Sequence, residues 1–179
     1  MRKVLLKIHV SLDGYIRSNN GEGVDWVFQS YDDELRAWEV DFLWQAGTHI
    51  MGLNLYRDMA DYWPTSTEVF AEPMNTIPKV VFSKTLKKAD WAGTHIASGD
   101  VSEEILHLKQ EPGKNILVHG GASFVQSLTK LKLIDEYHLI VHPIVLSAGL
   151  PLFVEPMGLK LMYSRVFPSG SILVGYTRS

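Results

Sequence analysis

From Val4 to about Leu131 the chain alternates short apolar runs with segments of helical period, and no other property of the sequence narrows its fold so far. Val4 to Val10 reads as a strand, apolar on the face of Val4, Leu6, Ile8 and Val10 and half apolar on the other, as inside a covered sheet. A polar, glycine-bearing stretch runs from Ser11 to Gln29. Ser30 and Asp33 then have the spacing of a capping box, and Leu35, Trp38 and Phe42 mark one face of a helix expected to stop at Gly47. Thr48 to Met51 is a strand, and Asn54 to Tyr62 a helix closed by Trp63-Pro64. After a loop rich in Thr, Ser, Glu and Pro come the strands Lys79 to Ser83 and His95 to Ser98. Ser102 to Gln110 is a helix with Ile105 and Leu106 inward, and Asn115 to Val118 a buried strand. Strand, helix, strand, helix calls for parallel pairing with helices on both faces.

The end of the chain breaks that rhythm. Glu136 to Leu146 reads as a long strand, and Leu159 to Phe167 with Ile172 to Thr177 as a hairpin across Pro168-Ser169-Gly170-Ser171. The expected architecture is therefore α/β, with a mixed, mostly parallel central sheet and an antiparallel C-terminal hairpin, in one domain spanning 1–179.

Composition excludes several classes. With 46% hydrophobic residues the 179-residue chain can bury a core, and with no cysteine it has neither disulfides nor thiolate metal sites. A net charge of −3 gives no broad basic field, so nucleic acid is not an expected partner. The N-terminal apolar run is interrupted by Lys7 and His9, too short for a signal or a membrane span, and a cytoplasmic location is expected. Seven histidines invite a metal reading. His138 and His142, however, would stand roughly 13 Å apart on a strand, too far to share one ion, and no metal site is expected.

Three turns carry chemistry instead. His119-Gly120-Gly121-Ala122-Ser123 joins a strand to a helix that runs on through Leu128 and Leu131, the arrangement by which free N–H groups and a helix dipole hold an anion. Met51-Gly52 repeats that geometry. Ser83-Lys84 adds a hydroxyl and a cation at the end of a third strand, on the edge where open α/β sheets place ligands. Asp32, Asp33 and Glu34 fall in the first turn of a helix, where carboxylates meet the dipole favourably. Ser123 has no base and orienting partner of a hydrolase triad.

Taken in order, these pieces resemble the dihydrofolate reductase-like proteins, most closely the stand-alone relatives of the riboflavin-biosynthesis deaminase-reductase C-terminal domain. The resemblance rests on Ser11-Leu12-Asp13-Gly14-Tyr15-Ile16, Ile50-Met51-Gly52, Tyr62-Trp63-Pro64 and Lys79 to Leu86. It continues through Gly120-Gly121-Ala122, Leu133-Ile134-Asp135-Glu136 and Pro143 to Gly149 leading to Leu152-Phe153. It implies NADPH bound across the strand ends and hydride transfer to a small heterocyclic or carbonyl substrate. By position, Gly120, Gly121, Ala122 and Ser123 would hold the pyrophosphate, and Gly52 would open a second phosphate-facing helix. Ser83 and Lys84 would lie by the adenosine ribose, and Ile16 with the loop after it would cover the nicotinamide. Asp13 or Asp33 would serve the substrate. Where the family has Arg, any residue, Thr and an aromatic after Met-Gly, this chain has Leu53, Asn54, Leu55 and Tyr56. Leu53 therefore makes NADH possible beside NADPH. A silent nucleotide- or pteridine-binding regulator on the same fold is the alternative, and the apolar final strands lead us to expect a homodimer.

Overall fold

The computed structural model describes residues 1–19 and 23–179. In chain order the elements are β1 (Val4–Ser11), β2 (Tyr15–Ser18), α1 (Asp33–Leu43), β3 (Ala46–Gly52), α2 (Leu53–Tyr62) and α3 (Ala71–Thr76). There follow β4 (Lys79–Phe82), β5 (Thr94–Ala97), α4 (Val101–Gln110), β6 (Asn115–Gly120) and α5 (Ala122–Lys130). The chain ends with β7 (Glu136–His142), β8 (Gly149–Pro151), β9 (Leu159–Val166) and β10 (Ile172–Arg178).

Eight strands make one sheet in the order β5-β4-β3-β6-β1-β7-β10-β9. Every pairing in it is parallel except the two that β10 makes with β7 and β9. This is the mixed, mostly parallel sheet that the alternation predicts. Because successive side chains of a strand point to opposite faces, each central strand feeds two cores. Val4, Leu6, Ile50, Val80, Ile116 and Val118 pack with Ile105 and Leu108 of α4 and with Val125 and Leu128 of α5. On the opposite face Leu5, Met51, Val81 and Leu117 pack with Phe42 and Leu43 of α1, Tyr56 of α2 and Met74 of α3.

Several boundaries differ from the expectation, each for a local reason. Ser30 is not the cap of α1. Asp32 is, its carboxylate accepting from the Leu35 N–H at 2.8 Å, while Ser30 closes a preceding 3₁₀ turn, so there is no capping box with Asp33. Helix α1 ends at Leu43, and Gly47 lies inside β3, where an added Cβ would stand 3.0 Å from the Lys114 backbone nitrogen. In α4 the inward pair is Ile105 and Leu108, with Leu106 left 48% exposed. Leu131 lies beyond the last residue of α5. The loop after Trp63-Pro64 contains α3. The long final strand of the parallel set stops at His142, because Pro143 has no N–H to continue the ladder. The ribbon of β2 with β8 falls within stretches to which the sequence pattern assigns no element.

One buried cation holds the end of α3. Lys79 is 1% exposed, and its Nζ donates to the carbonyls of Met74, Asn75 and Ile77 at 3.0, 3.1 and 2.9 Å. The ammonium thereby fills acceptors that a helix C-terminus leaves open, and it lies 4.5 Å from the centre of the Trp91 ring. Among the described residues no helix is long and apolar enough to cross a membrane.

Candidate functional site

The carboxyl ends of β4, β3, β6 and β1 are neighbours in that order, which aligns the turns at Ser83, Gly52, Gly121 and Ser11 along one edge of the sheet. Two helices start there without a side-chain cap. Gly52 precedes α2 and Gly121 precedes α5, and among the described residues neither start has a side-chain acceptor for its first N–H groups. By contrast α1 and α4 are closed by the carboxylates of Asp32 and Asp100. The open starts flank a cleft of about 330 Å³ whose walls include Gly52, Leu53, Gly121, Ser123, Phe124 and Ser127. Free N–H groups, aligned dipoles and hydroxyls suit an anion with two or more phosphate groups.

Backbone conformation favours glycine at 120, and close packing favours it at 52. Gly120 has φ +109°, outside the range of ordinary residues. A Cβ on Gly52 would come 3.2 Å from the Phe124 Cβ, and one on Gly121 would face the Leu55 Cβ at 3.9 Å. Leu53 lines the cleft at the first position of α2. Ser83 follows β4 and takes the N–H groups of Thr85 and Leu86 on its Oγ at 3.2 and 3.0 Å, leaving Lys84 exposed beside it. Ala122 opens α5. The structure thus brings Gly52, Leu53, Gly121 and Ser123 into one cleft, with Gly120 and Ala122 on the same turn and Ser83 and Lys84 along the same edge. Ile16 is buried in the core on the α4 and α5 face, and the loop after it falls partly on residues 20–22, outside the described residues.

The two candidate carboxylates are engaged elsewhere. Asp13 accepts from the Ser11 hydroxyl at 2.7 Å and from the backbone N–H groups of Leu146 and Ser147 at 3.1 and 2.8 Å, and these bonds pin the β1–β2 turn to the loop after β7. The Ser11 hydroxyl first, and the two backbone bonds with it, hold its carboxyl below the ordinary range against the opposing effect of burial. The Asp33 side chain is 96% exposed and meets Arg36 one turn along α1.

A polar cluster that the sequence reading missed lies on the sheet face beneath α1. Glu39 of α1 is 2% exposed, and its Oε1 accepts from Lys7 Nζ at 2.5 Å and lies 3.0 Å from His9 Nε2. Its Oε2 accepts from the Tyr31 hydroxyl. Burial alone would raise the Glu39 pKa, but Lys7 and His9 bring it well below the ordinary carboxylate range. His9 Nδ1 lies 2.9 Å from His142 Nε2, and His142 Nδ1 lies 2.7 Å from Ser30 Oγ. Burial, with His9 beside it, lowers the His142 pKa to about 4. Lys7 and His9 keep side-chain exposures of 15% and 23%. The open side of the cluster therefore presents cationic and imidazole groups, with the carboxylate behind them.

The cluster adjoins the glycine turn. Leu6 pairs with Val118, which sets Lys7 alongside His119, the residue before Gly120. His119 in turn meets His49, ring centres 4.4 Å apart, and burial with nearby Lys79 and Lys7 lowers the His49 pKa to about 3. Lys7 and His9 at alternate positions of an apolar strand were the available signal, since period-two placement sets both on one face. Their partners Glu39 and His142 lie 32 and 133 residues away, beyond any local pattern. Among the described residues no group of acidic, histidine and cysteine side chains could hold a metal ion.

A mostly parallel sheet with helices on both faces, one antiparallel strand and glycine-opened helices at its carboxyl edge defines an α/β protein of the dihydrofolate reductase type. The model of the RibD C-terminal domain matches residues 2–173, and the chain belongs to that family. It is 34% identical over 183 residues to the uncharacterized protein YyaP of Bacillus subtilis, covering 98% of this chain and 94% of that one. A candidate riboflavin biosynthesis protein from Shewanella sp. PV-4 superimposes with a TM-score of 0.80 at 23% identity over 99% of each chain. A diaminohydroxyphosphoribosylaminopyrimidine deaminase/5-amino-6-(5-phosphoribosylamino)uracil reductase from Thermotoga maritima gives a TM-score of 0.72 at 18% identity. That match takes in 99% of this chain and 57% of the Thermotoga protein, and at these identities both structures show the fold.

Proposed function

We propose that the chain is a nicotinamide-dependent reductase that delivers hydride to a small heterocyclic or carbonyl substrate. One observation carries this reading: two uncapped helix starts, at Gly52 and Gly121, flank a single cleft at the carboxyl edge of the sheet. The donors there fit a dinucleotide. The N–H groups that open α2 and α5, with Ser123, would hold the pyrophosphate, and Ser83 with Lys84 would lie by the adenosine ribose. When bound, the reduced nicotinamide supplies the hydride, and the protein orients it and excludes water. Strand order leaves β1, with Lys7 and His9, on the side of the glycine turn away from Ser83 and Lys84, and this is where we place the substrate. Family membership supports the same reading, as does the reductase named in the Thermotoga protein.

The cofactor is NADPH in this reading, with NADH tolerated because Leu53 provides no guanidinium for a 2′-phosphate. We further propose a homodimer formed through β9, an edge strand whose residues after Leu159 are all exposed, Leu161, Met162 and Val166 among them. The test of function is titration of purified protein with NADPH and NADH by fluorescence, followed by NADPH oxidation with a substrate panel. Micromolar binding with turnover supports the reductase. Binding without turnover on any substrate would favour a silent ligand-binding regulator, and no binding of either cofactor would sink the reductase.

A further inference from the structure

At the edge opposite the glycine cleft, where β1 and β7 begin and β10 ends, the surface sinks into an open hollow of about 680 Å³. Five cationic side chains line it, those of Arg2, Lys3, Lys109, Lys132 and Arg178, against the carboxylates of Asp135 and Glu136. This excess runs against the net charge of −3 on the whole chain. Both carboxylates are already engaged. Asp135 accepts from Lys109 Nζ on its two oxygens at 3.0 and 2.8 Å and from the Val4 N–H at 2.8 Å, and Glu136 accepts from Lys3 Nζ at 2.6 Å. Arg2 is committed too, since its side chain is 5% exposed and donates to Thr48 Oγ1 and the Lys114 carbonyl, both at 2.5 Å.

Lys132 and Arg178 remain. The carboxylates of the hollow pair with Lys3 and Lys109 and with neither of these two, which are held together by a bond from Arg178 Nη1 to the Lys132 carbonyl at 2.6 Å. Lys132 also has a backbone that lysine rarely adopts, with φ +57°. It follows the end of α5, where its N–H reaches the Thr129 carbonyl at 3.0 Å and the Leu133 N–H reaches the Leu128 carbonyl at 2.9 Å. Glycine is the usual occupant of that place. A cation near a helix end meets the dipole favourably, but Lys130 in the last turn already supplies one. Lysine at 132 therefore adds backbone strain and sets a second cation beside Arg178, costs that a bound anion would offset.

We propose that this hollow binds a small phosphate monoester, with the phosphate dianion held by the Arg178 guanidinium and the Lys132 ammonium. After its bond to the Lys132 carbonyl Arg178 keeps further N–H groups, and its planar fork matches two phosphate oxygens while the ammonium acts as a point charge. Lys3 spends one of three N–H groups on Glu136, and the other two suit the hydroxyl oxygens of a sugar that carries the phosphate. The hollow is far larger than one phosphate ion fills, and it shares no lining residue with the glycine cleft, so the proposal does not depend on the reductase reading.

Glucose 6-phosphate, inorganic phosphate and glucose are each titrated calorimetrically into the full chain at one low salt concentration, because exposed charges are screened. We expect the ester to bind at least fivefold tighter than inorganic phosphate, and glucose not to bind. Arg178→Gln should weaken the ester at least tenfold. Lys132→Gly should weaken it at least threefold yet melt at or above the wild-type temperature, since glycine suits that backbone, so its loss of binding cannot come from unfolding. Gly121→Val should leave the ester unaffected, which separates the hollow from the glycine cleft. In ¹H–¹⁵N spectra the ester should shift the amides of Lys132, Leu133 and Arg178. No binding of the ester at millimolar concentration, full affinity in Lys132→Gly or Arg178→Gln, or loss of binding in Gly121→Val with no shift at Lys132 would each overturn the proposal. Equal affinity for inorganic phosphate would leave an adventitious ion only and overturn it as well.

Discussion

Gly52 and Phe124 stand so close that a Cβ on the glycine would lie 3.2 Å from the Cβ of the phenylalanine. The first residues of α2 and α5 are thereby held against each other across the cleft, and the separation of the two helix starts is set by the absence of a side chain. Gly52→Val should force them apart and weaken NADPH at least tenfold. Gly121→Val should do the same by setting a branched side chain beside the first N–H groups of α5, although its Cβ would meet Leu55 only at an ordinary contact distance of 3.9 Å. Titration of both variants beside circular dichroism is the check, and unchanged affinity in well-folded protein would mean that these glycines are only turns.

At position 53 the first turn of α2 presents an apolar side chain to the cleft. A 2′-phosphate carries nearly two negative charges near neutral pH, and a charge-assisted contact contributes about 1.5 to 3 kcal/mol. Leu53→Arg should therefore tighten NADPH about tenfold or more and leave NADH nearly unchanged, whereas Lys84→Ala should weaken NADPH more than NADH. Dissociation constants for both cofactors at one fixed salt concentration decide it. Strong NADPH selectivity that persists in Lys84→Ala would place the phosphate on other residues.

Asp32 and Asp33 are adjacent yet should behave oppositely. Asp32 caps α1 and also accepts from the Ser169 N–H at 2.7 Å, joining the helix start to the β9–β10 turn. Loss of a capping carboxylate costs about 0.5 to 2 kcal/mol, and Asp32→Ala should fall at the upper end. Asp33→Asn removes only an exposed pair with Arg36 and should change stability by less than about 0.5 kcal/mol, with turnover unaffected. Urea denaturation with activity measured in parallel separates the two.

Acid should unfold this protein earlier than its carboxylates alone would. His142 and His49 have pKa values lowered to about 4 and about 3, against 6.5 for an unhindered imidazole. Between those values the unfolded chain binds protons that the folded one refuses, so their contribution is complete above pH 6.5 and is lost as pH falls toward 4. The lowered Glu39 carboxyl adds stability that is present above its ordinary pKa of 4.5 and lost on further acidification. A stability profile by urea from pH 7.5 to 4 should fall steadily below about 6.5, and the slope should shrink in His142→Gln. A flat profile down to pH 5 would contradict it.

The dimer proposal is tested at the outer edge. Val166 and Leu161 are 69% and 54% exposed on β9, and a charge on an edge strand opposes its pairing with a second copy. Leu161→Lys with Val166→Lys should give monomers by light scattering at micromolar concentration where wild type gives dimers. Wild type that remains a 20.2 kDa species throughout would remove β9 as an interface.

What was legible in the sequence is what is local. Val4 to Val10, Asn54 to Tyr62 and the Gly120-Gly121 turn carry their period or their punctuation within ten residues, and the structure has them as strand, helix and strand-to-helix turn. At the start of α1, Ser30 and Asp32 are both good caps two residues apart, and the spacing to Asp33 favoured the wrong one. Strands β2 and β8, four and three residues long, have too few alternations to register a period. The cluster around Glu39 was hidden for a different reason: pairing of His9 with His142 depends on β1 and β7 lying side by side, which only the sheet order decides.

The strand that begins the chain lies in the middle of its sheet, flanked by β6 and β7, whose residues run from 115 to 142. On a ribosome, β1 must emerge with both edges unpaired and wait while more than half of the chain is synthesised before either neighbour exists. During that interval Val4, Leu6 and Val10, all nearly inaccessible in the finished protein, have no native partner strand. Lys7 and His9 on the alternate face make this waiting strand less prone to associate with another nascent chain, so the residues that hold Glu39 in the folded molecule also act as gatekeepers before it exists.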